Sequence, residues 1–334
     1  MPQIARYIRF AQTGGPDVLT LAETTLLDPG PGEVLIRQTA IGVNFIDTYH
    51  RSGLYPLPLP SGIGQEAAGV VEAVGAGVVE FAPGDRVAYA GGAQRASQGG
   101  ECGAYASHRL MQATGLVPVP GEIPDEVAAG TLLRGMTAQY LLKRTFPVTS
   151  GMTVLIHAAA GGVGQIACQW ARCLGARVIG TVGSAAKAEL ARAWCDHVID
   201  YTQPGWAAQV RELTQGRGVP VVYDGVGAAT FEGSLDSLAL RGMLVSFGNA
   251  SGAVPPFSPG ILSQKGSLYL TRPALGHYTA TREELLDTAA DYFTVVARGD
   301  VEANIGQTYA LADAAQAHRD LEARKTTGST LLVP

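Results

Sequence analysis

Between Thr153 and Leu174 the chain passes through three textures in quick succession. Thr153–His157 is an apolar, strand-like run, Ala158-Ala159-Ala160-Gly161-Gly162-Val163-Gly164 contains nothing larger than valine, and Gln165–Leu174 repeats its apolar side chains at helical spacing. Small residues are needed there if the backbone is to turn sharply and approach a pyrophosphate closely. They also let the helix pack on the strand while its first N–H groups face the phosphates. Glycine serves ordinary turns as well, so the turn alone says little. In the order strand, turn, helix it points to a nucleotide site within a β-α-β unit.

The same alternation continues on both sides. Strand-like runs at Arg177–Val182, His197–Asp200, Val219–Asp224 and Met243–Phe247 are separated by helical stretches beginning at Val163, Ala185, Trp206 and Thr230. This predicts a doubly wound parallel sheet, which binds its ligand at the carboxyl ends of its strands. Before Pro124 the texture differs. Short apolar runs at Ile4–Phe10, Glu33–Val43, Ala67–Val74 and Arg86–Ala90 are broken by Pro29-Gly30-Pro31-Gly32, the Pro58 to Gly64 stretch and Pro83-Gly84-Asp85. That spacing reads as an antiparallel, barrel-like β domain. Helical segments at Arg282–Ala297 and Ala312–Glu322 and a terminal β run at Ser329–Val333 do not continue the alternation, and they are expected to rejoin the first domain. A chain of 334 residues exceeds one ordinary core. The expected division is 1–125 with 266–334 for one domain and 126–265 for the other.

Composition excludes several classes. With 46% hydrophobic residues, 16% charged residues and 43 glycines, the chain reads as globular with many tight turns. A net charge of −5 without a dense Lys/Arg cluster gives no footprint for nucleic acid or an anionic membrane. The N-terminus lacks a secretory h-region, and no eighteen apolar residues run uninterrupted, so a soluble cytosolic protein without membrane insertion is expected. Cys102, Cys168, Cys173 and Cys195 show no close metal-ligand pairing and are read as reduced thiols.

Cofactor choice is written at the end of the second strand, where binders of the unphosphorylated dinucleotide place an acid on the ribose diol. Here Gly183-Ser184 follows Val182, and the first carboxylate is Glu189. Gly183 offers room for a 2′-phosphate, Ser184 a donor and Lys187 a charge, which favours NADPH. Taken alone, Lys187 is also what a solvated helix lysine looks like. Tyr201, past the third strand, either adds a hydroxyl to that phosphate or caps the sheet edge. At the last strand Phe247-Gly248-Asn249 stands where the nicotinamide arrives, glycine again allowing close approach. Leu270-Thr271-Arg272-Pro273 is extended, so its free backbone groups suit the carboxamide, unless these residues are only strand ends and a turn.

Six segments carry a resemblance to one known family, and the resemblance covers the chain from end to end. They are Ala40-Ile41-Gly42-Val43-Asn44-Phe45-Ile46-Asp47-Thr48-Tyr49, Gly53-Leu54-Tyr55, Gly64-Gln65-Glu66-Ala67-Ala68-Gly69, Gly84-Asp85-Arg86-Val87, His157 through Gly164, and Val245-Ser246-Phe247-Gly248-Asn249. The family is the zinc-free quinone oxidoreductase branch of the medium-chain dehydrogenases and reductases, which includes the zeta-crystallins. The resemblance implies an α/β chain with a GroES-like, β-barrel-type catalytic domain and an inserted Rossmann domain. It further implies a homodimer, with NADPH in the cleft between the domains. Carried over residue by residue, Asn44 and Asp47 line the nicotinamide and ribose side, Tyr55 covers it and Thr137 contacts the cofactor. Ala160, Gly161, Gly162, Val163 and Gly164 hold the pyrophosphate, and Gly183, Ser184, Lys187 and Tyr201 the 2′-phosphate. Phe247, Gly248 and Leu270 sit at the nicotinamide end, and Arg324 matches a basic position that reaches the cofactor.

Zinc-dependent relatives have a histidine ligand where Gln65 stands and a cysteine ligand near Asn44. Neither amide is a credible zinc ligand, the four clustered cysteines of a structural zinc lobe are missing, and none of the six histidines forms a local pair, so no metal is expected. Without a Lewis acid, alcohol oxidation is disfavoured. The expected acceptor is a small-molecule quinone or other conjugated carbonyl, which delocalises incoming charge and needs mainly proximity and orientation. Tyr49 and Tyr55 are walls or hydroxyl donors for it, or simply half-buried aromatics. Two rival functions stand beside quinone reduction: reduction of an enone or 2-enoyl thioester with NADPH, and a noncatalytic crystallin-like or RNA-binding role, against which the intact nucleotide loop and absent basic stripe argue.

Overall fold

Asn44 and Gly53 bracket the first helix, and the strands around it follow from alternating burial. The computed structural model describes residues 3–91 and 103–334; Cys102 lies outside the described residues. In chain order, β1 (Gln3–Phe10) buries Tyr7, Ile8 and Phe10 and pairs antiparallel with β2 (Thr20–Leu26). The long β3 (Glu33–Val43) leads into α1 (Phe45–Ser52), capped by Asn44 and ended by Gly53 at φ 86°. Then come β4 (Ser61–Gly62), β5 (Glu66–Val74), β6 (Arg86–Ala90), β7 (His108–Gln112) and β8 (Val117–Pro118). Helix α2 (Asp125–Tyr140) starts with Asp125 and Glu126, which suit the positive end of its dipole.

Strict alternation follows: β9 (Thr153–Ile156), α3 (Gly162–Cys173), β10 (Arg177–Val182), α4 (Ala185–Ala191), β11 (His197–Asp200), α5 (Trp206–Leu213), β12 (Val219–Asp224), α6 (Phe231–Ser237), β13 (Leu238–Ser246), α7 (Gly260–Gln264), β14 (Tyr269–Thr271) and α8 (Leu275–Tyr278). The chain closes with α9 (Arg282–Ala297), β15 (Ile305–Ala310), α10 (Ala314–Glu322) and β16 (Ser329–Val333).

Two units result. One comprises Met1–Leu133, Thr281–Ala297 and Ala303–Pro334; the other comprises Arg134–Ala280 and Arg298–Glu302. In the first, β2-β1-β4 form one sheet, and a larger sheet runs β15-β16-β3-β5-β6-β8, with β7 also on β3. Its core includes Ile36, Ile41, Val71, Val87, Met111 and Leu332. The strands before residue 125 pair antiparallel, as expected, whereas β15 and β16 from the C-terminal segment are parallel. Helix α10 joins them as a crossover, a connection that antiparallel neighbours do not require. In the second unit the sheet is parallel throughout, ordered β11-β10-β9-β12-β13-β14. Leu155, Ile179, Val222 and Leu244 fill its core, with helices supplying Trp206 and Leu235. Strand order reverses beside β9, the place where such sheets bind ligands. Among the described residues, no helix is long and apolar enough to cross a membrane.

Candidate functional site

In the second unit, β9 ends in a turn that only small residues can make. Ala158 adopts φ 53°, an uncommon left-handed conformation for a residue with a Cβ, and the Gly161 N–H donates to its carbonyl at 2.7 Å. A Cβ on Gly164 would stand 2.1 Å from the Ala158 carbonyl oxygen, which is backbone and has nowhere to go. Gly161 is the extended N-cap of α3 and, having no side chain, caps none of the first-turn amides. Ala160, Gly161, Gly162 and Val163 are partly exposed, and Gly164 is buried.

One neighbour of this turn was not legible in the sequence. The buried Arg134 on α2 places its Nε 2.7 Å from where a Gly162 Cβ would be. It therefore adds positive charge beside the positive end of α3, an arrangement suited to an anion. Thr137, half-buried, follows one helical turn after Arg134 on the same face.

Gly183, Ser184, Lys187 and Tyr201 come together at the end of β10. The Tyr201 hydroxyl would lie 2.8 Å from a Cβ on Gly183, and Ser184 caps α4 by accepting the Lys187 N–H at 3.4 Å. Glu189 is ion-paired with Arg192. Asp200 is held below the usual carboxylate range by hydrogen bonds from the Thr202 hydroxyl and N–H.

The remaining strand ends are tied from below. Asp224 accepts the N–H groups of Val226 and Gly227 through Oδ1 and the hydroxyls of Thr230 and Ser234 through Oδ2. Since Ser234 gives its proton to Asp224, it accepts from His157 Nε2 at 2.9 Å, and His157 Nδ1 accepts the Thr181 hydroxyl at 2.6 Å. Burial lowers the pKa of His157, opposed by the Asp224 charge. Gly248 admits no Cβ, since one would meet the Gly225 carbonyl at 2.4 Å, and the Phe247 N–H donates to the Asp224 carbonyl. Arg272 Nη1 donates to the carbonyls of Ser246 and Gly248 at 3.1 and 3.0 Å, fixing the turn. Leu270 pairs with Leu244 in the outer strand.

In the first unit, Asn44 and Asp47 form a capping box at the start of α1, the Asn44 N–H donating to Asp47 Oδ2 at 2.8 Å. Asn44 Nδ2 donates to Glu66 Oε1 at 2.7 Å, and Glu66 Oε2 accepts the Leu133 N–H at 2.6 Å. Asp47 and Glu66 are wholly buried. Farther along the helix Tyr49 meets Phe45 at 6.0 Å and Tyr55 edge-on at 5.3 Å, with both tyrosines half-buried. Gln65 Nε2 lies 3.5 Å from His50 Nε2. Arg324, exposed, follows α10 at φ 59°. The catalytic candidates thus share α1 and its flank, and the nucleotide candidates lie at the strand ends of the other unit, apart from Thr137 on α2 and Arg324 after α10. Among the described residues, no three His, Cys, Asp or Glu side chains are grouped to hold a metal.

Known proteins bear on this geometry. Residues 30–121 match the alcohol dehydrogenase GroES-like domain and residues 162–291 the zinc-binding dehydrogenase domain. A quinone oxidoreductase of Pseudomonas aeruginosa is 53% identical over 335 residues, covering 99% of this chain and all of the relative. The structure of Escherichia coli quinone oxidoreductase complexed with NADPH superposes with a TM-score of 0.94 at 49% identity, over 98% of this chain and 100% of that one. A 2-haloacrylate reductase of a Burkholderia species is 46% identical over 330 residues, 96% of each chain. With a GroES-like unit, a parallel-sheet nucleotide unit and relatives of this identity along its whole length, the chain belongs to the quinone oxidoreductase family of the medium-chain dehydrogenases and reductases.

Proposed function

We propose that this protein uses NADPH to reduce quinones or other flat conjugated carbonyls, without a metal. The observation carrying the reading is the set of strand ends in the second unit. The turn at Gly164 has no room for a Cβ, and Gly183, Ser184, Lys187 and Tyr201 gather where the nearby carboxylates Glu189 and Asp200 are already engaged. That donor set fits a phosphorylated dinucleotide. The Escherichia coli relative described with NADPH supports it.

Ala160, Gly161, Gly162, Val163 and Gly164 hold the pyrophosphate by their amides, with Arg134 adding charge. Ser184, Lys187 and Tyr201 hold the 2′-phosphate beside Gly183. Thr137, Phe247, Gly248 and Leu270 border the nicotinamide, and Arg324 reaches the cofactor. Bound NADPH supplies the hydride. Asn44, Asp47, Tyr49 and Tyr55 belong to the acceptor side, where the edge-on tyrosine pair offers a wall for a flat ring and the Asn44 amide a hydrogen bond. Asn44 and Gln65 are amides, a donor type that zinc sites do not use, which supports hydride transfer to an already activated acceptor. The first unit is accordingly the catalytic domain and the second the nucleotide-binding one. The free thiols of Cys168, Cys173 and Cys195 suit a cytosolic enzyme.

A homodimer joined at the outer edge of the parallel sheet completes the proposal. There β14 is the last strand of the sheet among the described residues, and Tyr269 and Leu240 are exposed. A second reading, reduction of a carbon–carbon double bond conjugated to a carboxylate, is favoured by the similarity to 2-haloacrylate reductase. Initial rates of NADPH and NADH oxidation by the chelator-treated protein, with benzoquinone, phenanthrenequinone, a simple enone and 2-chloroacrylate, decide between them. Fast NADPH oxidation with quinones supports the first reading and turnover of chloroacrylate alone the second. Preference for NADH defeats the phosphate site.

A further inference from the structure

Behind α1 runs a chain of buried hydrogen bonds whose direction is fixed by chemistry. Arg51 donates to both carboxylate oxygens of Glu322, at 2.6 and 3.1 Å, and its Nη1 lies 3.1 Å from His318 Nδ1. A guanidinium only donates, so Nδ1 accepts and the neutral imidazole carries its proton on Nε2. That N–H faces the Tyr105 hydroxyl at 3.0 Å, which leaves the hydroxyl proton to Asp47 Oδ2 at 2.9 Å. The same carboxylate oxygen accepts the Asn44 N–H.

Arg51, His318, Tyr105 and Asp47 are all buried. Burial, assisted by Arg51, lowers His318 to about 3, and burial followed by the Asp47 charge pushes the Tyr105 hydroxyl well above its ordinary value. Neither group changes its proton count near neutrality, so the direction of the chain is permanent. Among the described residues, the charged or titratable groups along it and beside it include Arg51 on α1, Glu66 on β5, and His318 and Glu322 on α10.

We propose that Tyr105 and His318 are positioning residues that keep the Asp47 carboxylate ionised and turned toward the Asn44 backbone, and thereby fix the acceptor-side face of α1. This inference rests on the proposed role of α1 in holding the acceptor. A buried carboxylate deprived of a donor takes up a proton at higher pH. Once protonated, Asp47 competes as a donor at the oxygen that now accepts from Asn44, and α1 loses that half of its capping box.

The test compares Tyr105→Phe, His318→Leu and His318→Gln with the wild type. Glutamine presents an acceptor toward Arg51 and a donor toward Tyr105, so it preserves the direction. Rates of NADPH-dependent quinone reduction are followed over roughly pH 5 to 8. Expected for Tyr105→Phe and His318→Leu is an acid limb in kcat whose midpoint lies about one pH unit or more above that of the wild type. Their KM for NADPH should stay within about two-fold, and His318→Gln should restore the wild-type profile. An unchanged profile in Tyr105→Phe, or a glutamine variant behaving like the leucine variant, overturns the proposal. Infrared spectroscopy adds a readout independent of turnover. On acidification Tyr105→Phe should show a protonated-carboxyl band that disappears when Asp47→Asn is added, and absence of that band also overturns the proposal. A wild-type protein that failed to reduce quinones would fault the assigned reaction, while the infrared band would still decide the role of the chain.

Discussion

Lys187 and Ser184 illustrate what single residues can and cannot announce. Their meaning in the sequence came from a missing acid after Val182, and the structure sets Ser184 as the cap of the helix that carries Lys187. A charge-assisted hydrogen bond to phosphate contributes about 1.5–3 kcal/mol, so Lys187→Ala should weaken NADPH binding by about ten- to a hundred-fold and leave NADH nearly untouched. Titration of the protein against both nucleotides by fluorescence measures this, and equal losses for the two would remove Lys187 from the phosphate site. Other residues carried no such signal. Arg134 reaches Gly162 only because α2 and α3 are neighbours in the folded unit, and nothing around Arg134 in the chain marks it. Tyr105 and His318 lie far apart in sequence and meet each other behind Asp47, which Tyr105 alone of the two contacts, only through tertiary packing. Local pattern shows which backbone turns a ligand can enter, but it does not show which distant side chains stand behind them.

At the scale of elements, strong periodicity was legible to the residue and weak periodicity was not. β3, β6, β10, β11, β12, α9 and β16 have the bounds expected from the sequence, because each is framed by turn residues or by a clear change of period. β2, with the sequence Thr-Leu-Ala-Glu-Thr-Thr-Leu, buries no side chain fully and so lacks the apolar alternation that marks a strand. β13 begins at Leu238, earlier than expected, where exposed Leu240 and Arg241 interrupt the apolar run. The glycine turn leading into α3 is tightly constrained, and its constraint can be measured. Gly164→Ala forces a methyl against the Ala158 carbonyl, whereas Gly121→Ala meets nothing within 4 Å. Overpacking of this kind costs about 1–3 kcal/mol. The first variant should lose that stability in urea together with most of its NADPH affinity, and the second should match the wild type. Wild-type affinity in Gly164→Ala would mean that the turn does not cradle the nucleotide.

Two properties belong to the whole molecule. The first is assembly: if the outer edge at β14 joins two copies, Tyr269→Lys should convert a dimer to a monomer in light scattering, and a monomeric wild type would refute the arrangement. The second is acid sensitivity, in which both units take part. His157 in one unit and His318 in the other are buried and neutral, with pKa values lowered chiefly by burial, His318 to about 3. On unfolding each returns to the ordinary histidine value of about 6.5. Below that pH the unfolded chain therefore binds more protons than the folded one, and folding stability rises with pH through this window. The contribution is complete above about pH 6.5 and is lost progressively as the pH falls toward the folded-state values. Because one such histidine lies beneath the glycine turn and the other behind α1, acidification should loosen both units. Melting temperature measured from roughly pH 7.5 down to 4.5 should fall in the wild type and fall less steeply in His157→Gln and His318→Gln, even where those variants start lower. Parallel curves for wild type and variants would show that carboxylates, not these two imidazoles, govern the acid response.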